Sequence, residues 1–240
     1  MSETRKIIVE GKELSKEFNG NIVLKNVSIC CEEGSAIALV GENGAGKSTL
    51  MNIISGGLCA SSGTVLVDGA PVKFTNSQQA KAVGIAFVHQ ELSLMNEMTV
   101  GENIMLGREP QKGCFIDQKK LHEQAGEVLR EIGYHLDITA IVADLAPSDR
   151  QITEIAKAWA GRPRMMIFDE PTSSLNKNES KILFRFIARI KKSGVAVIMI
   201  SHRMEDIFAT CDVALVLKDG ELVFHVPVSE TNEDELISKM

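Results

Sequence analysis

One run of residues carries a clear chemical signal: Gly41-Glu42-Asn43-Gly44-Ala45-Gly46-Lys47-Ser48-Thr49, with the spacing GxxxxGK[ST]. Glycines let a backbone wrap closely around a phosphate. The loop amides and the N-terminus of a following helix then face its negative charge. Lys47 is placed to reach the terminal phosphates, and the Ser48 hydroxyl to bind Mg²⁺. The flanks suit this chemistry. Ala36–Val40 is apolar throughout and reads as a strand, and Lys47 to about Ser55 reads as a helix.

A phosphate loop works with an acidic residue at the end of a buried strand. Met165-Met166-Ile167-Phe168-Asp169-Glu170 supplies one. Asp169 is suited to holding Mg²⁺ through water, and Glu170 to polarising an attacking water as a general base. His202 closes another apolar run, Val195–Ser201. It reads either as a structural residue or as a γ-phosphate contact at the mouth of a parallel sheet. Gln90 follows Ile85–Val88 and could reach Mg²⁺ or the attacking water. Phe18 reads as core from composition, with base stacking as the alternative. His89, His122, His135 and His225 show no ligand spacing.

These groups need a frame. Ala36–Val40, Ile85–Val88, Met165–Phe168, Val195–Ile200 and Val213–Leu217 lack alternation and suit strands buried on both faces. Between them Leu121, Ala125, Val128, Leu129 and Ile132 share a helix face. So do Ile152, Ile155, Ala156 and Trp159, and again Ile182, Phe186, Ile187 and Ile190, which makes Trp159 a packing residue. Strands alternating with helices predict an α/β architecture. Residues 5–33 and 62–74 read as short strands with turns at Asn19-Gly20 and Asp68-Gly69, forming a small antiparallel sheet. Residues 98–160 read as an inserted, mostly helical segment.

The 240 residues carry a net charge of −6, which disfavours a generic nucleic-acid binder. With 44% hydrophobic and 24% charged residues the chain is not of disordered composition. Its longest apolar run falls far below the ~18 residues of a membrane span, and its polar start has no signal-peptide core. Cys30, Cys31, Cys59, Cys114 and Cys211 form no CxxC pair. They read as free thiols in a reducing compartment, serving as small core residues.

Taken together, these residues resemble the ATP-binding-cassette (ABC) ATPases. Phe18 matches the adenine-stacking aromatic, Gly41–Thr49 the Walker A motif and Gln90 the Q-loop glutamine. Met165–Asp169 matches Walker B, Glu170 the catalytic glutamate and His202 the switch histidine. The resemblance implies a P-loop α/β fold. Residues 1–97 and 161–240 would form a RecA-like parallel-sheet core with an antiparallel β subdomain, and 98–160 a helical subdomain. It implies ATP and Mg²⁺. Phe18 and Gly41–Thr49 would bind nucleotide, and Ser48, Gln90 and Asp169 would hold the metal. Glu170, His202 and Gln90 would be catalytic. Val88–Leu92, Glu102–Glu109, Glu154–Lys157 and Ser201–Arg203 resemble, more narrowly, the N-terminal cassette of ribose, galactose and xylose importer ATPases. In those proteins two cassettes share one polypeptide. That implies a second cassette, fused beyond Asn232–Met240, and transmembrane permease subunits at the cytoplasmic face of a bacterial membrane. Leu92, Leu94, Met95 and Met98 would form the docking surface, or else a buried subdomain core.

One motif departs from the family. The LSGGQ signature is replaced by Leu145-Ala146-Pro147-Ser148-Asp149. Ala146 lacks a hydroxyl, Pro147 lacks an N–H, and Asp149 adds negative charge where a partner's phosphate is expected. The D-loop reads Ser173-Ser174-Leu175-Asn176. Competing readings are a regulatory cassette that binds ATP without turnover, a soluble ABC ATPase of DNA repair or translation, and an unrelated phosphate-loop kinase. The kinase leaves Gln90 and His202 unexplained.

Overall fold

A computed structural model describes residues 5–240. The chain begins with β1 (Ile7–Phe18), β2 (Asn21–Glu32), β3 (Ala36–Val40), α1 (Lys47–Ile54), β4 (Ser62–Val67), β5 (Ala70–Val72), α2 (Ser77–Ala82) and β6 (Ile85–Val88). Next come α3 (Val100–Met105), β7 (Gln111–Lys112), β8 (Phe115–Ile116), α4 (Gln118–Ile132) and α5 (Pro147–Ala160). It closes with β9 (Met165–Asp169), α6 (Lys177–Lys192), β10 (Ala196–Ile200), α7 (Met204–Thr210), β11 (Val213–Lys218), β12 (Glu221–Pro227) and α8 (Glu233–Lys239). The contacts divide it into two compact units. One holds the described residues up to Phe87 with Pro163–Glu170 and Ala188–Met240. The other holds Val88–Arg162 and Pro171–Ile187.

The first unit is built on two sheets. A six-stranded sheet runs in the order β12-β11-β3-β10-β9-β6. β11, β3, β10 and β9 are parallel to their neighbours in this series. Every residue of β3 and β10 is buried, as their unbroken apolar sequences require when both faces are covered. The second sheet is antiparallel, in the order β2-β1-β4-β5. Its hairpins turn at Asn19-Gly20 and Asp68-Gly69, with φ of 49° and 85°, then 49° and 78°. Positive φ at both central residues matches the twist of the flanking strands. β1 and β2 are 12 residues each, longer than the short strands expected. β12 was not foreseen. It folds back antiparallel on β11 through a third such turn, Asp219-Gly220.

The second unit is mainly helical, with a two-stranded hairpin, β7–β8, that the sequence reading missed. Leu121, Ala125, Val128, Leu129 and Ile132 of α4 are all buried, as are Ile152, Ile155 and Ala156 of α5. Trp159 is half-buried and packs edge-on against Phe186, with centroids 5.4 Å apart. Its indole N–H donates to Glu131 at 2.6 Å, so its packing role holds. α3 begins with a capping box in which Thr99 and Glu102 satisfy each other's backbone N–H.

No described helix is long and apolar enough to cross a membrane. The five cysteines are free thiols. Their reading as core residues holds for Cys31 and Cys211 and fails for Cys30, Cys59 and Cys114, which are exposed. Cys30 and Cys31 are adjacent on a strand, so one of the two necessarily points away from the core.

Ile198, in the middle of β10, is fully buried. Ile198→Ala should cost about 2–5 kcal/mol in urea unfolding followed by far-UV circular dichroism. Val223→Ala on β12, 46% exposed, should change stability by less than about 0.5 kcal/mol.

Candidate functional site

The phosphate-loop motif begins where β3 ends. Residue by residue, β10 pairs Ile200 with Leu39 of β3 on one side and with Asp169 of β9 on the other. The three strands therefore end level. The loop Gly41–Gly46, the pair Asp169-Glu170 and the turn at His202 all emerge at one edge of the sheet, where ligands bind in open parallel sheets.

The loop's glycines are required by space. A Cβ on Gly41 would lie 2.1 Å from the carbonyl oxygen of Leu217. Gly46 caps α1 with φ 103°, and a Cβ there would meet Leu24 Cδ2 at 2.8 Å and the Val23 carbonyl at 2.9 Å. The first turn of α1 has no acidic side chain, so its positive end is not answered from within the helix. Lys47 Nζ donates to the carbonyls of Gly41 at 2.7 Å and Glu42 at 2.8 Å, closing the loop on itself. Ser48 and Asn43 are exposed and Thr49 half-buried.

Three charges share this edge. Burial pushes the Lys47 ammonium pKa down, opposed by the charges of Asp169 and Glu170. Burial, then the Glu170 charge, pushes the Asp169 carboxyl up, against the pull of Lys47. Each of Lys47 and Asp169 is thus biased towards neutrality by burial and held charged by the other. Glu170 has φ 48°, in the left-handed region where the Cβ of an L-residue crowds the following carbonyl oxygen. Its N–H donates to Ile200 O at 2.9 Å, so the strained residue is clamped to the end of β10. Backbone strain of this kind clusters at functional sites. Glu170 Oε1 lies 3.1 Å from His202 Nδ1.

The turn presenting His202 is built by residues the sequence reading missed. The Ser201 hydroxyl accepts from the Arg203 N–H at 3.0 Å and donates to Asp206 at 3.3 Å, and Asp206 is buried. The available signal was a serine and an aspartate five residues apart at a helix start.

The structure therefore brings Gly41–Thr49, Asp169, Glu170 and His202 together. Phe18 is not core. It stands 42% exposed at the end of β1, with Lys16 Nζ 5.0 Å from its ring centroid. A side chain at a hairpin end has too few neighbours to be enclosed, which composition does not reveal. Gln90 belongs to the other unit, just beyond β6, and is exposed. In that unit Met95 is 49% exposed and Leu92, Leu94 and Met98 are half-buried, so these four do not form a buried core. α5 starts at Ala146 with no side-chain cap and Pro147 in its first turn. The Tyr134 hydroxyl donates to Asp149 at 2.8 Å. Burial first, then that carboxylate, raises the phenol pKa. Among the described residues no cluster of three or more His, Cys, Asp or Glu side chains could cage a metal. Asp169 and the exposed Ser48 hydroxyl are hard oxygen donors, the kind Mg²⁺ takes together with phosphate oxygens.

Comparison with known proteins gives the same picture. Solved structures of similar fold include a nucleotide-free ATP-binding cassette from an ABC transporter, with TM-score 0.83 and 23% identity over 97% of this chain and 94% of that one. Another is an ATP-binding cassette bound to ADP and Pi in a dimeric post-hydrolysis state, with TM-score 0.81 and 24% identity over 92% and 99%. Among curated proteins, an arabinose import ATP-binding protein of Rhizobium johnstonii is 44% identical over 97% of this chain and 46% of its own length. A ribose import ATP-binding protein of Bacillus cereus is 42% identical over 97% and 47%. The chain spans about half the length of these relatives. The family model described as "ABC transporter" matches residues 24–173, more than half the sequence and including both the glycine loop and the Asp169-Glu170 pair; the chain belongs to the ABC transporter family.

Proposed function

We propose that this chain binds and hydrolyses ATP with Mg²⁺ to power a bacterial ABC importer of monosaccharides. In this reading it is the first cassette of a fused pair, docked on transmembrane permease subunits at the cytoplasmic face of the membrane. The observation that carries the reading is the level ending of β3, β10 and β9, which sets the glycine loop beside Asp169, Glu170 and His202. The sugar assignment is supported by relatives named as arabinose and ribose import proteins. The fused second cassette is supported by their doubled length.

Each residue then has a task. Lys47 exchanges the Gly41 and Glu42 carbonyls for phosphate oxygens, a trade of neutral acceptors for charged ones that favours the bound state. The N-terminus of α1 faces the phosphates. Ser48, Asp169 and Gln90 hold Mg²⁺, which supplies charge neutralisation on the phosphate oxygens. Glu170 accepts the proton of the attacking water. His202 orients the Glu170 carboxylate and contacts the γ-phosphate. Phe18 stacks on the base. Residues 98–160 act as the helical subdomain with its altered signature, and Leu92, Leu94, Met95 and Met98 present the surface to the permease.

The altered signature makes the reading asymmetric. The chain's own phosphate loop and carboxylates are complete. The start of α5 offers no cap hydroxyl at Ala146 and no N–H at Pro147, and its Asp149 is already engaged by Tyr134. In the complete importer one site then turns over, built from this chain's catalytic face and the partner cassette's signature. The other site binds nucleotide poorly or holds it without hydrolysis. A regulatory cassette without turnover is the second reading, favoured by this same segment and opposed by the intact Glu170–His202 pair.

Three substitutions test the assignment. Lys47→Ala should abolish MgATP binding in titration calorimetry while leaving the melting temperature of the nucleotide-free chain unchanged. Glu170→Gln in the complete two-cassette protein should keep MgATP binding and lower turnover about 10²–10⁴-fold. Unchanged turnover would remove Glu170 from the chemistry. Phe18→Ala should weaken nucleotide binding by about 1–3 kcal/mol, the usual worth of base–aromatic stacking.

A further inference from the structure

The segment between β6 and α3 has no regular structure of its own except a turn and a single bridge from Thr99 to Ile141, yet it carries Gln90 and the exposed Met95. Two buried polar side chains fix it from behind. Asn103 of α3, fully buried, accepts from the Met95 N–H at 2.8 Å and donates to Met95 O at 2.9 Å and Thr99 O at 3.0 Å. Glu154 of α5, only 5% exposed, grips Ser93. It accepts from the Ser93 hydroxyl at 2.8 Å and from its N–H at 3.3 Å. One turn along α5, Lys157 Nζ donates to the Ser93 carbonyl at 2.7 Å. Every polar group of Ser93, main chain and side chain, is therefore taken by α5.

A buried carboxylate is costly unless fully partnered. Its partner here is a single loop residue 61 positions away. Ser93 is three residues from Gln90. Glu154 is seven residues from Pro147, about 10 Å along the helix at 1.5 Å per residue. The loop end carrying Gln90 and the N-terminal turn of α5 are thus two ends of one hydrogen-bonded piece.

We propose that Glu154 is a positioning residue which, through Ser93, makes the Gln90 segment and helix α5 move as one body. Nucleotide engagement at Gln90 is thereby delivered to the first turn of α5. Of residues 91–95, Ser93 alone hydrogen-bonds to α5 itself; Met95 is tied to α3, and Asn96 and Met98 to Ala143 and Val142 ahead of α5, so the Ser93 link is the direct route from the Gln90 end of the segment to the helix. The inference rests on the proposed ATP-binding role of Gln90 and adds the element that carries its movement.

The test uses hydrogen exchange with and without MgATP, beside a calorimetric MgATP isotherm for each variant. In the unaltered chain MgATP should slow exchange both in residues 89–95 and in residues 147–153. Ser93→Ala removes the hydroxyl and leaves the buried Glu154 in place. It should keep MgATP affinity within about threefold and keep the response at 89–95, while reducing the response at 147–153 at least about fivefold, the lower end of typical site-to-site coupling. Ser93→Thr restores a hydroxyl and should restore the response, which a general loss of stability would not do. Lys157→Met provides a second, partly exposed disruption and should act in the same direction. A full response at 147–153 in Ser93→Ala, or none there in the unaltered chain despite MgATP binding, overturns the proposal. Absence of MgATP binding in the unaltered chain appears in the isotherm itself and removes the ATP reading together with this one.

Discussion

Everything at the candidate site depends on a register. β10 lies between β3 and β9 and pairs Ile200 with both Leu39 and Asp169. A slip of one residue in either pairing would turn side chains to the opposite face of the sheet and move Asp169 away from the end of β3. The register is held because β3 and β10 are apolar at every position and buried on both faces. The site is therefore no more precise than the packing of strands that contribute no chemistry themselves. Its own residues weaken the fold locally: Glu170 is held at positive φ, and Lys47 and Asp169 are charges partly withdrawn from water.

The charges are arranged so that nucleotide would complete them. Lys47 is engaged with two carbonyl oxygens of its own loop, which are neutral acceptors. Asp169 and Glu170 repel each other and are balanced by one lysine. In the proposed reading a cation bound with phosphate oxygens would relieve that repulsion, and the phosphates would answer Lys47 and the start of α1. In the second unit the opposite holds at the start of α5. There Asp149 supplies the negative charge from within the chain, and Tyr134 holds it in place. One helix start lacks an acidic side chain in its first turn and the other carries one, which is the physical basis of the proposed asymmetry.

The parallel core was legible because unbroken apolar runs of strand length have few other uses, and the turns Asn19-Gly20 and Asp68-Gly69 because few residues tolerate positive φ. The same rule applied to Asp219-Gly220 would have found β12, whose half-exposed alternation hides it among loop residues. Glycine loop, Asp169, Glu170 and His202 were legible as local motifs and expected at the mouth of one parallel sheet; the strand order that places them there was not. The core reading of the exposed cysteines, and the composition reading of Phe18, fail because residue type alone does not report neighbours. The grip of Glu154 on Ser93 joins residues 61 positions apart. No local pattern encodes it, and only the fold reveals it.

The central claim is a complete nucleotide-binding face that needs another cassette's signature to turn over. It is tested most directly by the specific MgATP hydrolysis rate of the purified chain as a function of its own concentration, with MgATP binding measured on the same samples. The account predicts one bound MgATP per chain and a specific rate that stays near zero at every concentration. A specific rate that climbs with concentration would mean that two copies of this chain complete each other's sites, and that Ala146–Asp149 supports catalysis after all.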